Sequence, residues 1–447
     1  MKTFIKETHK KEAIETLSTL LLYPSYLQEE SEGNTPFGPD IQAVLEKTLE
    51  ICQTLGLRTY LDPEGYYGYA EIGEGEELFA VLCHLDVVPP GNLSLWNTPP
   101  FKATLQEGAI IGRGAQDDKG PTVAALYALK ALMDAGENFT KRVRFIFGVD
   151  EENLWRCLAK YNEKEEKASM GFAPDSSFPV TYAEKGLLQV KLHSKESSPF
   201  KLNAGDAMNV VPEDAVYTGE LVDELIKNLD QLGFSYEHEG NAVTVKGESI
   251  HSKDAPNGIN AIVRLAKGLK PLVDNKGLVF LSEVIQEDAR GLSIFGDMRD
   301  DAFGILTCNA ATLSIDENET TIGLDIRYPV TIAKDEVVEK LIQAVKASGL
   351  EYEEYDFIAP LYVPTDTPLV KNLMAVYQEK TGDNRDPMVS GGATYARTME
   401  NCVAFGAQMP HAEATLHGPN ERMLLEHIYQ AMDIYAEALY RLTCKKD

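Results

Sequence analysis

The chain is predicted to fold as an α/β protein around a mostly parallel central sheet flanked by helices, and three stretches carry that prediction. Residues 78–88 form an apolar, β-branched run that includes Val81-Leu82-Cys83-His84-Leu85-Asp86-Val87-Val88 and has the character of a buried strand. Residues 122–133 have helical composition, with Pro121 in the first turn. Residues 143–149 form a second apolar strand. Strand, loop, helix and strand in that order predict parallel pairing, with functional groups gathered at the carboxyl ends of the strands.

The remaining elements follow in chain order. An amphipathic helix is expected over 12–22 and another over 40–55, before strands at 58–61 and 66–72. From about 187 the sequence changes style, with alternating strands and fewer long helices. Two passages there place strand material before a helix, near 219–233 and, after strands at 310–328, near 335–348. Ala359-Pro360-Leu361-Tyr362-Val363-Pro364 is a proline-bracketed crossing of the kind found at domain boundaries. A long amphipathic helix over 424–443 closes the chain.

Composition limits the partners. With 447 residues, 44% of them hydrophobic, the chain is long enough for two or three domains with a large core. A formal charge of -28 repels phosphate, which argues against nucleic acid and anionic membrane as partners. Cys52, Cys83, Cys157, Cys308, Cys402 and Cys444 show no Cys-x-x-Cys or framework spacing, so they read as thiols in a reducing compartment. The first residues lack an apolar signal core and no run reaches membrane-spanning length; a cytoplasmic location is expected.

Several polar residues interrupt these elements. His84 and Asp86 alternate onto one face of their strand, which fits a buried histidine held by a carboxylate, or a metal-binding imidazole fixed through its second nitrogen. Asp117 and Asp118 lie in a glycine-flanked loop at a helix start, where carboxylates also serve as ordinary caps. Asp150-Glu151-Glu152 directly follow a core strand, as a solvated loop or as a place for chemistry. Gly112-Arg113-Gly114 is no phosphate loop, because Gly-Lys-Ser/Thr is missing and Asp117 and Asp118 would repel the ligand.

Taken together, His84-Leu85-Asp86, Gly114-Ala115-Gln116-Asp117-Asp118-Lys119-Gly120, Asp150-Glu151-Glu152, Pro174-Asp175 and Leu416-His417-Gly418-Pro419 resemble the dinuclear zinc peptidases of the aminoacylase, carboxypeptidase and desuccinylase superfamily. Within it the chain is most similar to the peptidase V-like branch, which contains bacterial Xaa-His dipeptidases. The resemblance covers nearly the whole chain. It implies a catalytic domain formed by 1–186 and 358–447, and an inserted α+β lid domain of two related halves at 187–357.

The resemblance also implies roles. Asp117 would bridge two Zn2+ ions, with His84 and Asp175 completing one site and Glu152 and His417 the other; Mn2+ or Co2+ suit similar donors. Adjacent side chains in extended backbone point apart, so Glu151 is assigned as general base rather than ligand, acting on a metal-bridging water that becomes the attacking hydroxide. Asp86 would orient His84, and a cis peptide would follow Asp117. In the lid, His251 would stabilise the oxyanion, and Asn209 and Arg327 would contact substrate. A guanidinium grips a free carboxylate bidentately, and Ser390, Gly391 and Gly392 offer backbone N–H groups to the same carboxylate.

The implied function is a dipeptidase for L-amino-acid dipeptides with a free C-terminus, acting on small peptides as a monomer. An N-acyl amino-acid deacylase is the alternative, since the same site hydrolyses amides whatever lies on the acyl side. A catalytically inactive binding protein is the third, and it predicts a lost base or ligand, whereas Glu151, Glu152 and Asp117 are present. Cys83, Asn153-Leu154 and Ala393 depart from the family pattern, which leaves substrate preference open.

Overall fold

The computed structural model describes residues 3–28, 35–196 and 198–444. The chain divides into two compact units, one made of Met1–Tyr182, Val363–Met388 and Thr394–Asp447, the other of Ala183–Tyr362 and Val389–Ala393. Residues 389–393, expected with the closing part of the first unit, lie in the second. The physical reason is local: Ser390 O accepts the Lys185 amide at 2.9 Å and Gly391 O accepts Arg327 Nη1 at 3.2 Å.

The sheet of the first unit runs in the order Arg58–Leu61, Gly68–Ile72, Arg142–Gly148, Leu78–His84, Met170–Ala173, Cys402–Phe405 and Val180–Glu184. Its centre is parallel: Leu78–His84 pairs with Arg142–Gly148 on one side and Met170–Ala173 on the other, and Met170–Ala173 pairs with Cys402–Phe405. Antiparallel strands flank that centre. Every residue of Leu78–His84 is buried, as a continuous apolar run predicts for a strand covered on both faces. Helix Lys119–Asp134 packs against Leu425–Thr443 and Glu7–Leu20. Ala124, Ala125, Ala128 and Ala131 are fully buried on it, and their small side chains let neighbouring elements approach closely.

Two element boundaries differ from the sequence expectation. The strand expected over 78–88 ends at His84: the Leu85 amide makes a last bond to Gly148 O at 3.1 Å, and the Val87 amide turns instead to Ser25 O at 2.9 Å. The first helix starts at Glu7 rather than 12, since its opening turn is polar and invisible to apolar periodicity. His9 there is buried and bonded to Asp134 at 3.2 Å.

The second unit holds an antiparallel sheet in the order Leu202–Ala204, Thr307–Ile315, Glu319–Tyr328, Gly186–Lys195 and Glu351–Ile358, and a smaller one of Asp214–Thr218, Ala242–Lys246 and Tyr236–Glu239. Leu188, Val190, Leu192, Ile322, Leu324 and Ile326 alternate inward into its core. Helices Val222–Leu232 and Lys334–Ala347 add Leu225, Leu229, Leu341 and Val345 to that core. Among the described residues no helix is long and apolar enough to cross a membrane.

Candidate metal centre

Three neighbouring parallel strands deliver side chains to one end of the first unit's sheet. His84 is the last residue of its strand and pairs in register with Gly148; Glu151 and Glu152 follow that neighbour, and Asp175 follows Met170–Ala173 on the other side. Asp117 comes from the loop before helix Lys119–Asp134, and His417 from the loop before Arg422–Leu424. Gly148 is required at its position, because a Cβ there would lie 2.3 Å from the Tyr395 ring.

These residues form two donor sets that share Asp117. His84, Asp117 and Asp175 offer one set of atoms within 4.8 Å of one another, and Asp117, Glu152 and His417 the other. The Asp117 carboxylate faces both ways: Oδ1 is 2.9 Å from His84 Nε2 and Oδ2 is 3.0 Å from His417 Nε2. His417 Nε2 also lies 3.2 Å from Glu152 Oε2, and His84 Nε2 is 3.7 Å from Asp175 Oδ2. The peptide from Asp117 to Asp118 is cis.

The tautomer of His84 fits a metal ligand. Its Nδ1 is 2.9 Å from the main-chain carbonyl of Asp86, which can only accept, so Nδ1 carries the proton. The neutral ring then turns the Nε2 lone pair towards two carboxylates, an arrangement that a cation between them reconciles. The expected role of Asp86 takes a different form here. Its carbonyl fixes His84, with the carboxylate Oδ1 3.6 Å away, while Oδ2 accepts the Glu152 amide at 3.0 Å. Asp86 Oδ1 and Asp118 Oδ1 are buried without a hydrogen-bond partner.

Electrostatics point the same way. Among the described residues no Lys or Arg forms an ion pair with Asp117, Glu151, Glu152 or Asp175. Burial, reinforced by Asp117, pushes the Glu152 and Asp175 carboxyls up, in Asp175 well above the usual range. Glu151 is also pushed well above it, by burial and by the charges of Glu152, Asp117 and Asp86. Burial alone would lower His417, but the Glu152 carboxylate and bonds to Asp117 and Glu152 carry it up to about 11. Asp117 is held below the usual range despite its burial, by the rings of His417 and His84 that face its two oxygens. Such an excess of buried carboxylate over cation is what divalent metal ions neutralise.

The consecutive carboxylates at 150–152 separate into different partners. Asp150 is fully buried in a bidentate pair with Arg156, at 2.8 and 2.7 Å, and also accepts the Arg156 amide. Glu152 belongs to the second donor set. The Glu151 carboxylate accepts no hydrogen bond from the described residues, while its carbonyl accepts Trp155 Nε1 at 2.7 Å. Cys83, on the opposite face of the strand from His84, is fully buried as a small apolar side chain.

Sequence reasoning missed the residues that hold the ligand loops. Glu421, fully buried, accepts the Gln116 and Asp117 amides on Oε1 at 2.8 and 3.1 Å, and the Gly114 amide and Arg113 Nη1 on Oε2 at 3.1 and 2.7 Å. No periodicity or spacing announces a contact between residues so far apart along the chain. Glu421→Ala strands a buried guanidinium and three backbone donors, and is expected to destabilise the fold by about 3–5 kcal/mol. Denaturant titration measures this, and a loss of less than about 1 kcal/mol would mean that the loop is held by other contacts.

The remaining predicted residues lie in the second unit. The Ser252 amide bonds Asn209 O at 2.8 Å, and Val210 bridges His251, so Asn209 and His251 sit on adjacent segments. His251 Nδ1 accepts the Lys253 amide at 3.1 Å, which puts the proton of the neutral ring on Nε2. Arg327, 3% exposed, is held along its Nε and Nη2 edge by Asp325 at 2.7 and 3.0 Å. Ser390 Oγ accepts the Gly392 amide at 2.9 Å, and a Cβ on Gly391 would lie 2.8 Å from Lys253 Cβ.

The sequence model of peptidase family M20/M25/M40 matches residues 80–441. YtjP of Bacillus subtilis, provisionally named a dipeptidase, is 35% identical over 97% of this chain and 97% of its own length. A Staphylococcus haemolyticus protein, also provisionally named a dipeptidase, is 31% identical over 98% of each chain. Among solved structures, the di-peptidase Dug1p from Saccharomyces cerevisiae has a TM-score of 0.64 at 14% identity, covering 97% of this chain and 96% of its own. Human carnosine dipeptidase 1 has a TM-score of 0.61 at 15% identity, with the same coverage of 97% and 96%. The two structural likenesses concern the fold.

Proposed function

The chain belongs to peptidase family M20/M25/M40, a family of metal-dependent hydrolases, and from that premise we propose that it is a dipeptidase cleaving L-amino-acid dipeptides with a free C-terminus. The observation that carries the proposal is Asp117, whose two carboxylate oxygens each face a separate set of donors. His84, Asp117 and Asp175 would hold one cation, and Asp117, Glu152 and His417 a second; the mixture of imidazole and carboxylate suits zinc, with manganese or cobalt as substitutes. When bound, the metal supplies Lewis acidity and lowers the pKa of the attacking water.

The chain's own residues do the rest. Glu151 stands next to a proposed ligand, and its carboxylate has no hydrogen-bond donor among the described residues to compete for its lone pairs. It takes a proton as the water oxygen bonds to the peptide carbonyl carbon, and delivers it to the amine nitrogen as the C–N bond breaks. His251 donates from Nε2 to the developing oxyanion, the tautomer its Lys253 contact favours. Arg327, with one edge fixed by Asp325, directs its remaining N–H groups to the substrate carboxylate, together with Asn209 and the backbone of Ser390, Gly391 and Gly392. The same reading makes the protein a cytoplasmic monomer, supported on the first point by six buried cysteines that form no disulfide.

Hydrolysis of Ala-Ala, carnosine, Ala-Ala-Ala and N-acetyl-Ala by the zinc-loaded protein, beside Arg327→Ala, tests the proposal. Cleavage is expected for free dipeptides, and the variant is expected to lose about 10²-fold in kcat/KM, the value of a bidentate carboxylate contact. Preferential release of acetate from N-acetyl-Ala would move the protein to the deacylases.

A further inference from the structure

The loops that carry Asp117 and His417 are tied to each other twice, in opposite directions. The Glu421 carboxylate, four residues after His417, accepts the amides of Gly114, Gln116 and Asp117. In return the Gln116 side chain, one residue before Asp117, reaches the other loop: its Oε1 accepts the Thr415 and Leu416 amides at 2.7 and 2.9 Å, and its Nε2 donates to Glu413 O at 3.0 Å. Gln116 thus makes three contacts to the backbone just before His417. Thr415 Oγ1 closes that loop on itself by accepting the Arg422 amide at 3.0 Å.

The backbone held in this way is one that a free chain avoids. His417 has φ 61° and Asn420 φ 58°, both in the left-handed region, which a residue bearing a Cβ rarely occupies without support. Asn420 is braced separately, its Oδ1 accepting the Asn97 amide at 2.6 Å and its Nδ2 donating to Leu95 O at 2.9 Å. The Gln116 contacts join the His417 side of the loop directly to the residue beside Asp117, and further back on the Asp117 loop Arg113 Nη2 donates to His417 O at 3.4 Å. His84 and Asp175 lie on strand ends and receive nothing from Gln116.

We infer that Gln116 and Glu421 form a reciprocal clasp that sets the distance between Asp117 and His417, and that Gln116 is a positioning residue for one of the two cation sites and not for the other. The inference rests on the two-cation reading above. Partners that orient metal ligands typically change metal affinity by about 10–100-fold when removed. The clasp therefore makes the Asp117, Glu152 and His417 site tighter than its three side chains would be on an unrestrained loop.

Cobalt titration of the metal-stripped full chain, followed by visible absorption, separates the two sites without reference to activity. The phase missing in His417→Ala marks the His417 site. Gln116→Met keeps the side-chain length and removes all three contacts; it is expected to weaken that phase by about tenfold or more and leave the other in place. Gln116→Glu keeps the acceptor for Thr415 and Leu416 and is expected to restore it. A parallel weakening of both phases, or no change in either, would overturn the inference, since a merely structural role spreads its effect over both sites. Uptake of a single equivalent by the unaltered chain would remove the two-cation reading itself, and the clasp with it.

Discussion

Glu151→Gln is expected to lower kcat for a good dipeptide by about a thousandfold, within the range for loss of a general base, while both metal ions stay bound. That factor corresponds to about 4 kcal/mol of transition-state stabilisation. The amide has the shape of the carboxylate but cannot accept the proton, and among the described residues Glu151 supports no neighbour by a hydrogen bond to its carboxylate, so the fold has little reason to respond. Glu152→Gln makes the contrast, because Glu152 Oε2 lies against His417 and its replacement weakens metal uptake as well as turnover. Metal content by atomic absorption, measured beside kcat, distinguishes them. A Glu151→Gln enzyme that retains more than a tenth of normal turnover would sink the assignment.

Removing the metal is expected to have the other large effect. Chelation should abolish dipeptide hydrolysis, and zinc, manganese or cobalt should restore it. It should also destabilise the first unit, since Asp175, Glu151 and Glu152 are pushed up by burial and, among the described residues, no Lys or Arg is paired to them. Each site at a hundredfold excess of metal over its dissociation constant contributes about 2.7 kcal/mol. Calorimetry with and without zinc measures the shift in unfolding midpoint; an unchanged midpoint would show that the cluster needs no cation to stay folded.

The parts of this site that were legible in the sequence are those encoded locally. His84, Glu151 and Glu152 stand at or just after apolar strands whose order is readable, so their convergence at one end of a parallel sheet follows from topology, whereas Asp117, Asp175 and His417 enter as ligands only through the family resemblance. Asp118 was not readable: beside a helix start it resembles a cap, yet its Oδ2 accepts the His84 amide and the Thr122 hydroxyl at 2.9 Å, and burial raises it to about 7. Nor was the atom of Asp86 that meets His84, because alternation predicts the side chain and the carbonyl is the one in contact. Glu421, Gln116 and the second-unit position of 389–393 depend on partners remote in sequence, where neither period nor spacing carries information. The histidines show the same limit: His84 and His251 are alike as letters, but a carbonyl on one Nδ1 and an amide on the other fix opposite tautomers.

The central sheet also dictates an order of events during synthesis. Gly171 and Phe172 wait for their parallel partners Cys402 and Val403 until all the residues between them have been made. Until then the edge of Met170–Ala173 is uncovered, the condition under which unpaired strands invite association with other chains. His417 emerges later still. A partly made chain therefore holds the His84, Asp117 and Asp175 donors well before the second set can exist, and the completed centre marks a chain whose last strand has docked.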